Sequence, residues 1–107
     1  FTIPGDLVVG TGQARLYFNE AVTVLNVMAS VGTAPTGATV LFDLNKNGTT
    51  MFSTQGNRPT IAISGFSDLS STPDVTAIAA GDYLTVDVDQ VGSTITGADA
   101  TVIVEYY

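Results

Sequence analysis

The sequence predicts an all-β protein: residues 1–107 form one domain, a single antiparallel β-sandwich, jelly-roll-like, with seven to eight strands. Three observations predict this fold class. Only 12% of the residues are charged, and Thr, Val, Ala and Gly are abundant; β-branched residues among them suit a pleated surface. Apolar and polar residues alternate over stretches of strand length. Turn-forming residues separate these stretches at intervals of about 8–12 residues.

The first predicted strands lie in the N-terminal third of the chain. "QARLYFN" (13–19) turns Leu16 and Phe18 inward. "AVTVLNVMASVG" (21–32) is apolar on both faces, which is typical of a central strand or of one covered on both sides. One side of this strand is predicted to carry Leu25, Val27, Ala29 and Val31, and the other Val22, Val24 and Met28.

The remaining predicted strands follow in chain order. They are "TVLFDL" (39–44), "TTMFST" (49–54), "TIAISG" (60–65), "DYLTVDVDQV" (82–91) and "ADATVIVEYY" (98–107). In the strand 82–91, alternation points Leu84, Val86 and Val88 to the core and Tyr83, Thr85, Asp87 and Asp89 outward. In the strand 98–107, one face carries Val102, Val104 and Tyr106, and the other Thr101, Ile103, Glu105 and Tyr107.

Three segments between the strands are rich in turn formers: "GTAPTG" (32–37), "QGNRP" (55–59) and "SDLSSTPD" (67–74). Ser and Asp suit helix caps, so a single helical turn is an option for the last of them. We find neither an internal repeat nor a linker-like change in composition, and we therefore expect one domain.

The segment "DLNKNGTT" (43–50) has the start of a calcium-binding loop, because Asp43 and two asparagines alternate ahead of Gly48. Such a loop needs a bidentate acid at its twelfth position, and that position is Thr54. The flanks have strand character, and Asn-Gly between apolar runs signals a hairpin because both residues tolerate positive φ. The segment is therefore predicted to reverse a strand rather than to bind a metal.

Two turn lengths are open for this hairpin. A two-residue turn at Asn47-Gly48 would place Leu44 opposite Met51. A three-residue turn over residues 46–48, with a bulge, would place Phe42 opposite Phe52. We prefer the three-residue turn, because the two aromatic rings then share a face.

Composition excludes several classes of function. Without Cys or His, the chain has no disulfide, thiolate nucleophile, imidazole base or zinc-thiolate site. Three basic residues against ten acidic ones, a net charge of −7, disfavour nucleic acid and anionic membranes as partners. No apolar run approaches the ~18 residues of a membrane span.

The chain starts at Phe1 without a charged-then-apolar leader, so we expect it to be processed or excised from a longer protein.

Four aspartates near the C-terminus are the candidate acids: Asp82, Asp87, Asp89 and Asp99. Asp87 and Asp89 share a face at about 7 Å, a separation that glycosidases use. Nothing nearby would raise one pKa and leave the other carboxyl ionised, so we expect no catalysis. Aspartates at alternate outward positions solubilise a strand and discourage edge pairing. A low-affinity calcium site among these four residues is the alternative.

The outward aromatic residues are candidates for an assembly or ligand surface: Tyr83, Tyr106 and Tyr107. Tyr83 and Tyr107, with Phe66, would suit a sugar-stacking platform with a rim of Asp and Asn. Surface tyrosines also simply occupy strand positions or meet a neighbouring subunit. We favour this second interpretation, because the chain has no Trp.

Residues 22–104 resemble a module that recurs in virion structural proteins of tailed bacteriophages, including tail-associated and fibre-like proteins. The resemblance rests on "VGTAPTGATVLFDLNKNGTTMF", "RPTIAISG" and "GDYLTVDVDQVGSTITGADATVIV", in that order. It implies no catalytic residues and no cofactor. It does imply a virion location after assembly in the host cytoplasm, and partners that are other virion proteins and copies of the chain, with a trimer as the expected oligomer.

The sequence therefore predicts a non-enzymatic bacteriophage structural protein, a capsid decoration or a fibre or tail component that acts by assembling on the particle. The alternative is a glycan-binding adhesion module of the same fold on a tail or fibre. A glycan array would separate the two.

Overall fold

The computed structural model describes residues 1–12 and 14–107. In this part of the chain there are ten strands and a 3-10 helix at Gln55–Asn57. The strands are β1 (Thr2–Asp6), β2 (Leu16–Tyr17), β3 (Val22–Thr33), β4 (Val40–Lys46), β5 (Thr49–Thr50), β6 (Thr60–Ile61), β7 (Ser67–Ser71), β8 (Ala77–Ile78), β9 (Tyr83–Gln90) and β10 (Ala98–Tyr106).

The strands form two antiparallel sheets packed face to face. The first sheet has the order β1-β10-β3-β7, with β8 also paired to β3, and the second has the order β2-β9-β4-β5, with β6 also paired to β4. The pairs are nested: β4 with β5, then β3 with β7, β2 with β9 and β1 with β10. The chain thus behaves as one long antiparallel ribbon wrapped about the β4–β5 hairpin. This is the jelly-roll topology, and the predicted all-β sandwich is confirmed, with ten strands in the described residues instead of the predicted seven to eight.

Both sheets contribute alternate side chains to one core. In β9 the buried residues Leu84, Val86 and Val88 face the interior, as alternation predicts, and Phe42 and Leu44 of β4 lie beside them. From the first sheet, β3 and β10 supply the facing layer, which includes Val27, Ala29, Ala100 and Val102. Burial of this apolar surface is the main favourable term in the stability of the sandwich.

A β-bulge in β3 changes which residues face the core. Asn26 pairs with Glu105, but the next pair joins Val24 to Tyr106, so Leu25 is an extra residue on β3. The bulge shifts the alternation by one position. Val24 is 2% exposed and Leu25 is 49% exposed, so the predicted assignment of these two residues is wrong. The predicted central position of the strand is confirmed, because β3 pairs with both β10 and β7.

The β4–β5 hairpin has a two-residue turn. Lys46 pairs with Thr49, and the Met51 amide donates to the Leu44 carbonyl over 2.8 Å. The predicted strand reversal is confirmed, and the preferred three-residue turn is wrong. Asn47 and Gly48 have φ of 51° and 86°, and positive φ at both central residues defines the type I′ turn that matches the twist of a hairpin.

We expect Gly48→Val to destabilise the domain by about 1–3 kcal/mol, because a β-branched residue resists the left-handed backbone that the turn requires. A Cβ at this position would meet no atom within 4 Å, so the loss is purely conformational. Gly48→Asn is the matched control, since Asn tolerates positive φ, and it should cost clearly less. Urea unfolding followed by circular dichroism measures both, and equal losses would contradict the assigned turn.

The structure differs from the sequence-based expectations at several further places. Residues 67–71 form β7 rather than a turn, because this polar segment pairs along β3, and the helical turn occurs instead at Gln55–Asn57. Leu16 is exposed, since β2 is a two-residue edge strand. Thr85 faces outward but is buried. The predicted strands 49–54 and 60–65 are shorter in the structure, with two paired residues each. The sequence analysis did not predict β1. Gln13, which belongs to the predicted strand 13–19, lies outside the described residues.

Candidate functional site

An arginine and two tyrosines meet where β2 lies beside the start of β9. Tyr17 and Tyr83 are cross-strand partners, and their ring centroids are 5.4 Å apart. The guanidinium carbon of Arg15 lies 4.3 Å from the centroid of the Tyr83 ring, and Arg15 Nη1 donates to the Tyr17 hydroxyl over 3.2 Å. These three residues are called the Arg–Tyr corner below. The hydrogen bond to Tyr17 raises the pKa of Arg15 above its ordinary value. The nearby phenol groups of Tyr83 and Tyr17 add a smaller rise.

The β4–β5 hairpin fixes the start of β9 beneath this corner. The Asn47 side chain donates to Asp82 Oδ1 over 2.8 Å and accepts from the Tyr83 amide over 3.1 Å. The other Asp82 oxygen accepts from the Ala79 amide over 2.8 Å. Both hydrogen bonds stabilise the charged carboxylate and therefore lower the pKa of Asp82. The bond from Asn47 has the larger effect. The turn segment "KNG" therefore has a structural function: it holds the backbone that carries Tyr83.

A cavity of about 240 Å³ opens beside the corner. It is lined by Thr11, Gly12, Arg15, Gly48, Tyr83 and Thr85. Two of the lining residues are glycines, and glycine lets a backbone approach a ligand closely. The sequence had singled out Tyr83 by alternation. It gave no signal for Arg15 and Tyr17, because their place follows from pairing with a strand far along the chain.

The other two candidate tyrosines lie at the end of β10 rather than at this corner. Tyr106 packs edge-to-face on Phe18, with centroids 5.3 Å apart, and remains half-exposed. Tyr107 is largely exposed, while its backbone exchanges two hydrogen bonds with Thr23. Among the described residues, the ring of Tyr83 contacts Tyr17 and the ring of Tyr106 contacts Phe18, so these two candidate tyrosines have different aromatic partners.

The four candidate aspartates serve separate local contacts. Asp82 belongs to the hairpin contact, and Asp99 accepts from the Gly5 amide over 2.8 Å. Asp87 accepts from the Gly12 amide over 3.0 Å and from Asn45 over 2.8 Å. Asp89 forms an ion pair with Arg58 at 2.7 Å. Across residues 1–12 and 14–107, acidic side chains do not gather in groups of three or more that would hold a metal ion.

Asp43 is a buried acid that the sequence did not single out as a titrating group. It lies opposite Asp87 in the β4–β9 register and is 7% exposed. The Thr50 hydroxyl donates a hydrogen bond to Asp43 Oδ1 over 2.7 Å. Burial disfavours the charged form and raises the pKa of Asp43, and the negative charge of Asp89 adds to this effect. An outward position on a strand is usually solvated, so alternation alone predicts an exposed carboxylate here.

We expect Asp43→Asn to stabilise the domain at pH 7 by about 1 kcal/mol. The folded-state pKa of Asp43 is raised, so its favourable contribution is present below the unfolded pKa and is lost as pH rises through the folded pKa. Asparagine keeps an oxygen for the Thr50 hydroxyl and carries no charge. The gain should therefore shrink as the pH falls through the raised folded-state pKa and should be lost below the unfolded pKa of about 4.

Asp82→Asn is the control of opposite sign. The folded-state pKa of Asp82 is lowered, so its contribution is present above the unfolded pKa and is lost as pH falls through the folded pKa. This variant should lose stability at pH 7 and match the unmodified chain in acid. Unfolding midpoints across a pH series measure both variants, and a pH-independent gain for Asp43→Asn would contradict the assignment.

The outer face of the first sheet carries an apolar row. Ile103 of β10 and Met28 of β3 are cross-strand partners, and Leu69 lies in the bulge of β7 opposite Met28. Ile103 is 47% exposed and Leu69 is 62% exposed. These three residues are called the apolar row below. The two exposed side chains therefore present apolar surface to solvent.

Comparison with protein-family models, with curated proteins and with solved structures gave no match for the chain. Among the described residues, no helix has the length and apolar character needed to cross a membrane.

Proposed function

We propose that this chain is a non-enzymatic structural domain of a tailed-bacteriophage particle, where it acts as a capsid decoration or as part of a tail or fibre. The observation that carries the proposal is the apolar row on an exposed sheet face. Contiguous exposed apolar surface marks association sites. The net charge of −7 opposes contact through polar surface. Viral capsid proteins also use the jelly roll, which is support by fold analogy alone.

The partners in this proposal are other virion proteins and further copies of the chain, with a trimer as the expected assembly. Ile103→Asp tests the role of the apolar row, because it places a charge within the row, on the face of β10 that points away from the core. Sedimentation velocity should show an oligomer for the unmodified chain and a monomer for the variant. Thr101→Asp adds the same charge to the same face of β10, outside the row, and should preserve the oligomer.

The location is tested on particles. Quantitative mass spectrometry of density-purified phage should find the protein at a fixed copy number per particle, in a multiple of three if the trimer is correct. A protein found only in the soluble fraction of infected cells, and monomeric in solution, would overturn the proposal.

A glycan-binding adhesion module of the same fold is the second candidate. The Arg–Tyr corner favours it, because aromatic rings beside a small cavity with polar groups suit a sugar. Lectin domains share the jelly roll. An array of bacterial surface glycans tests this candidate directly, and saturable binding that is lost in Tyr83→Ala would support it.

A further inference from the structure

Arg15 has an unusual position for a cation in so acidic a chain. The one ion pair within the described part of the chain joins Arg58 to Asp89. The third basic residue, Lys46, donates to the Ala77 carbonyl over 3.1 Å. Arg15 lies instead over the ring of Tyr83 and donates a hydrogen bond to the Tyr17 hydroxyl. Ten acidic residues are present, yet none of those described neutralises this guanidinium.

The corner holds Arg15 in a defined orientation. The guanidinium carbon lies over the Tyr83 ring, and the Tyr17 hydroxyl accepts a hydrogen bond from one of the N–H donors. A guanidinium has five N–H groups in a rigid fork, so the bond to Tyr17 does not exhaust its donors. Tyr83 is itself held by cross-strand pairing and by the Asn47 contact. Pre-organisation of this kind lowers the entropy lost on binding.

Charge and size define the ligand class. The fork of an arginine matches a planar carboxylate through two parallel hydrogen bonds. A single cation on a protein of charge −7 favours a monoanion over a doubly charged phosphate. The adjoining cavity, about 240 Å³, is below the 300–1,000 Å³ of drug-sized pockets, and it therefore suits a group of about one ring.

We propose that the Arg–Tyr corner binds a carboxylate-bearing sugar, of the hexuronic acid type, with the carboxylate on Arg15 and the sugar ring in the cavity beside Gly12, Gly48 and Thr85. This inference rests on the second candidate function and names its substrate class. It is independent of assembly on a particle. One exposed arginine gives weak binding per site, and an oligomer that presents several corners would strengthen attachment to a polyanionic glycan by avidity.

The test is a titration of the isotope-labelled chain with D-glucuronate, followed by amide chemical shifts in NMR spectra. Saturable shifts are expected at Gly12, Gly48 and Thr85. Arg15→Gln removes the charge and should weaken binding about tenfold or more. Arg15→Lys keeps the charge but lacks the planar fork, so its affinity should lie between those of the unmodified chain and Arg15→Gln. Arg58→Gln removes another arginine and should bind as the unmodified chain does, and dispersed spectra verify that each variant is folded.

Three further compounds separate the alternatives. D-glucose with equal affinity would overturn the acidic-sugar inference and leave the glycan-binding candidate standing. Acetate or inorganic phosphate that binds as tightly as glucuronate would overturn the inference, because the corner would then recognise charge without the sugar. Absence of saturable shifts with every sugar would overturn both the inference and the second candidate, while the assembly proposal would keep its own tests.

Discussion

Val102→Asp is expected to leave the domain largely unfolded at room temperature. Val102 is 1% exposed in the middle of β10, with β1 and β3 hydrogen-bonded on either side. An unpaired carboxylate there must lose its hydration or take up a proton, and a loss above about 4 kcal/mol is expected. A domain of this size is stable by only about 5–15 kcal/mol. Urea unfolding, followed by circular dichroism and tyrosine fluorescence, measures the change.

No cation in the first sheet is available to rescue the new charge. None of the five strands of that sheet contains Lys or Arg, and the chain's three basic residues lie in or beside strands of the second sheet. The next residue provides the matched control. Ile103 is 47% exposed on the opposite face, so Ile103→Asp should cost about 1 kcal/mol or less. Similar losses for the two variants would show that the faces of β10 are assigned wrongly.

Alternation predicts strands where one sheet face is uniformly buried, and it fails where the register changes. The strands 82–91 and 98–107 follow the pattern because their pairing is regular over most of their length. In β3 the extra residue Leu25 shifts the phase, and the two hydrogen bonds that Asn26 makes with β7 accompany the change. A bulge of this kind has no sequence signature in a segment that is apolar on both faces.

Long-range pairing determines the segments that the sequence misassigned. β7 is polar, and its strand geometry comes from β3 rather than from its own residues. Between β1 and β10, the φ of 78° at Gly5 in β1 and the φ of 56° at Asp99 in β10 accompany an irregular register. The Arg–Tyr corner depends in the same way on the pairing of Tyr17 with Tyr83. Tyr83 was found because it lies on a regular strand, whereas Arg15 gains its importance only from that contact.

Gly92→Ala should be the second most damaging substitution among those considered, with a loss of about 3 kcal/mol. A Cβ on Gly92 would lie 1.9 Å from the Ile95 carbonyl oxygen and 2.9 Å from the Thr36 carbonyl oxygen. Both atoms belong to the backbone, so no side-chain rotation relieves the clash. The Thr36 amide donates to the Ile95 carbonyl and the Thr94 amide donates to the Thr36 carbonyl, each over 3.0 Å, and these bonds join the two loops at this end of the sandwich.

The added methyl group would therefore push apart residues 34–37 and 92–97, which are two of the segments behind the resemblance to phage virion modules. Gly10→Ala is the matched control. The same methyl group at Gly10 meets nothing within 4 Å, and its effect should stay within about 0.5 kcal/mol. Urea midpoints of the two variants decide the matter. A Gly92→Ala protein as stable as Gly10→Ala would mean that these loops do not pack as closely as described, and the structural reason for glycine at position 92 would be lost.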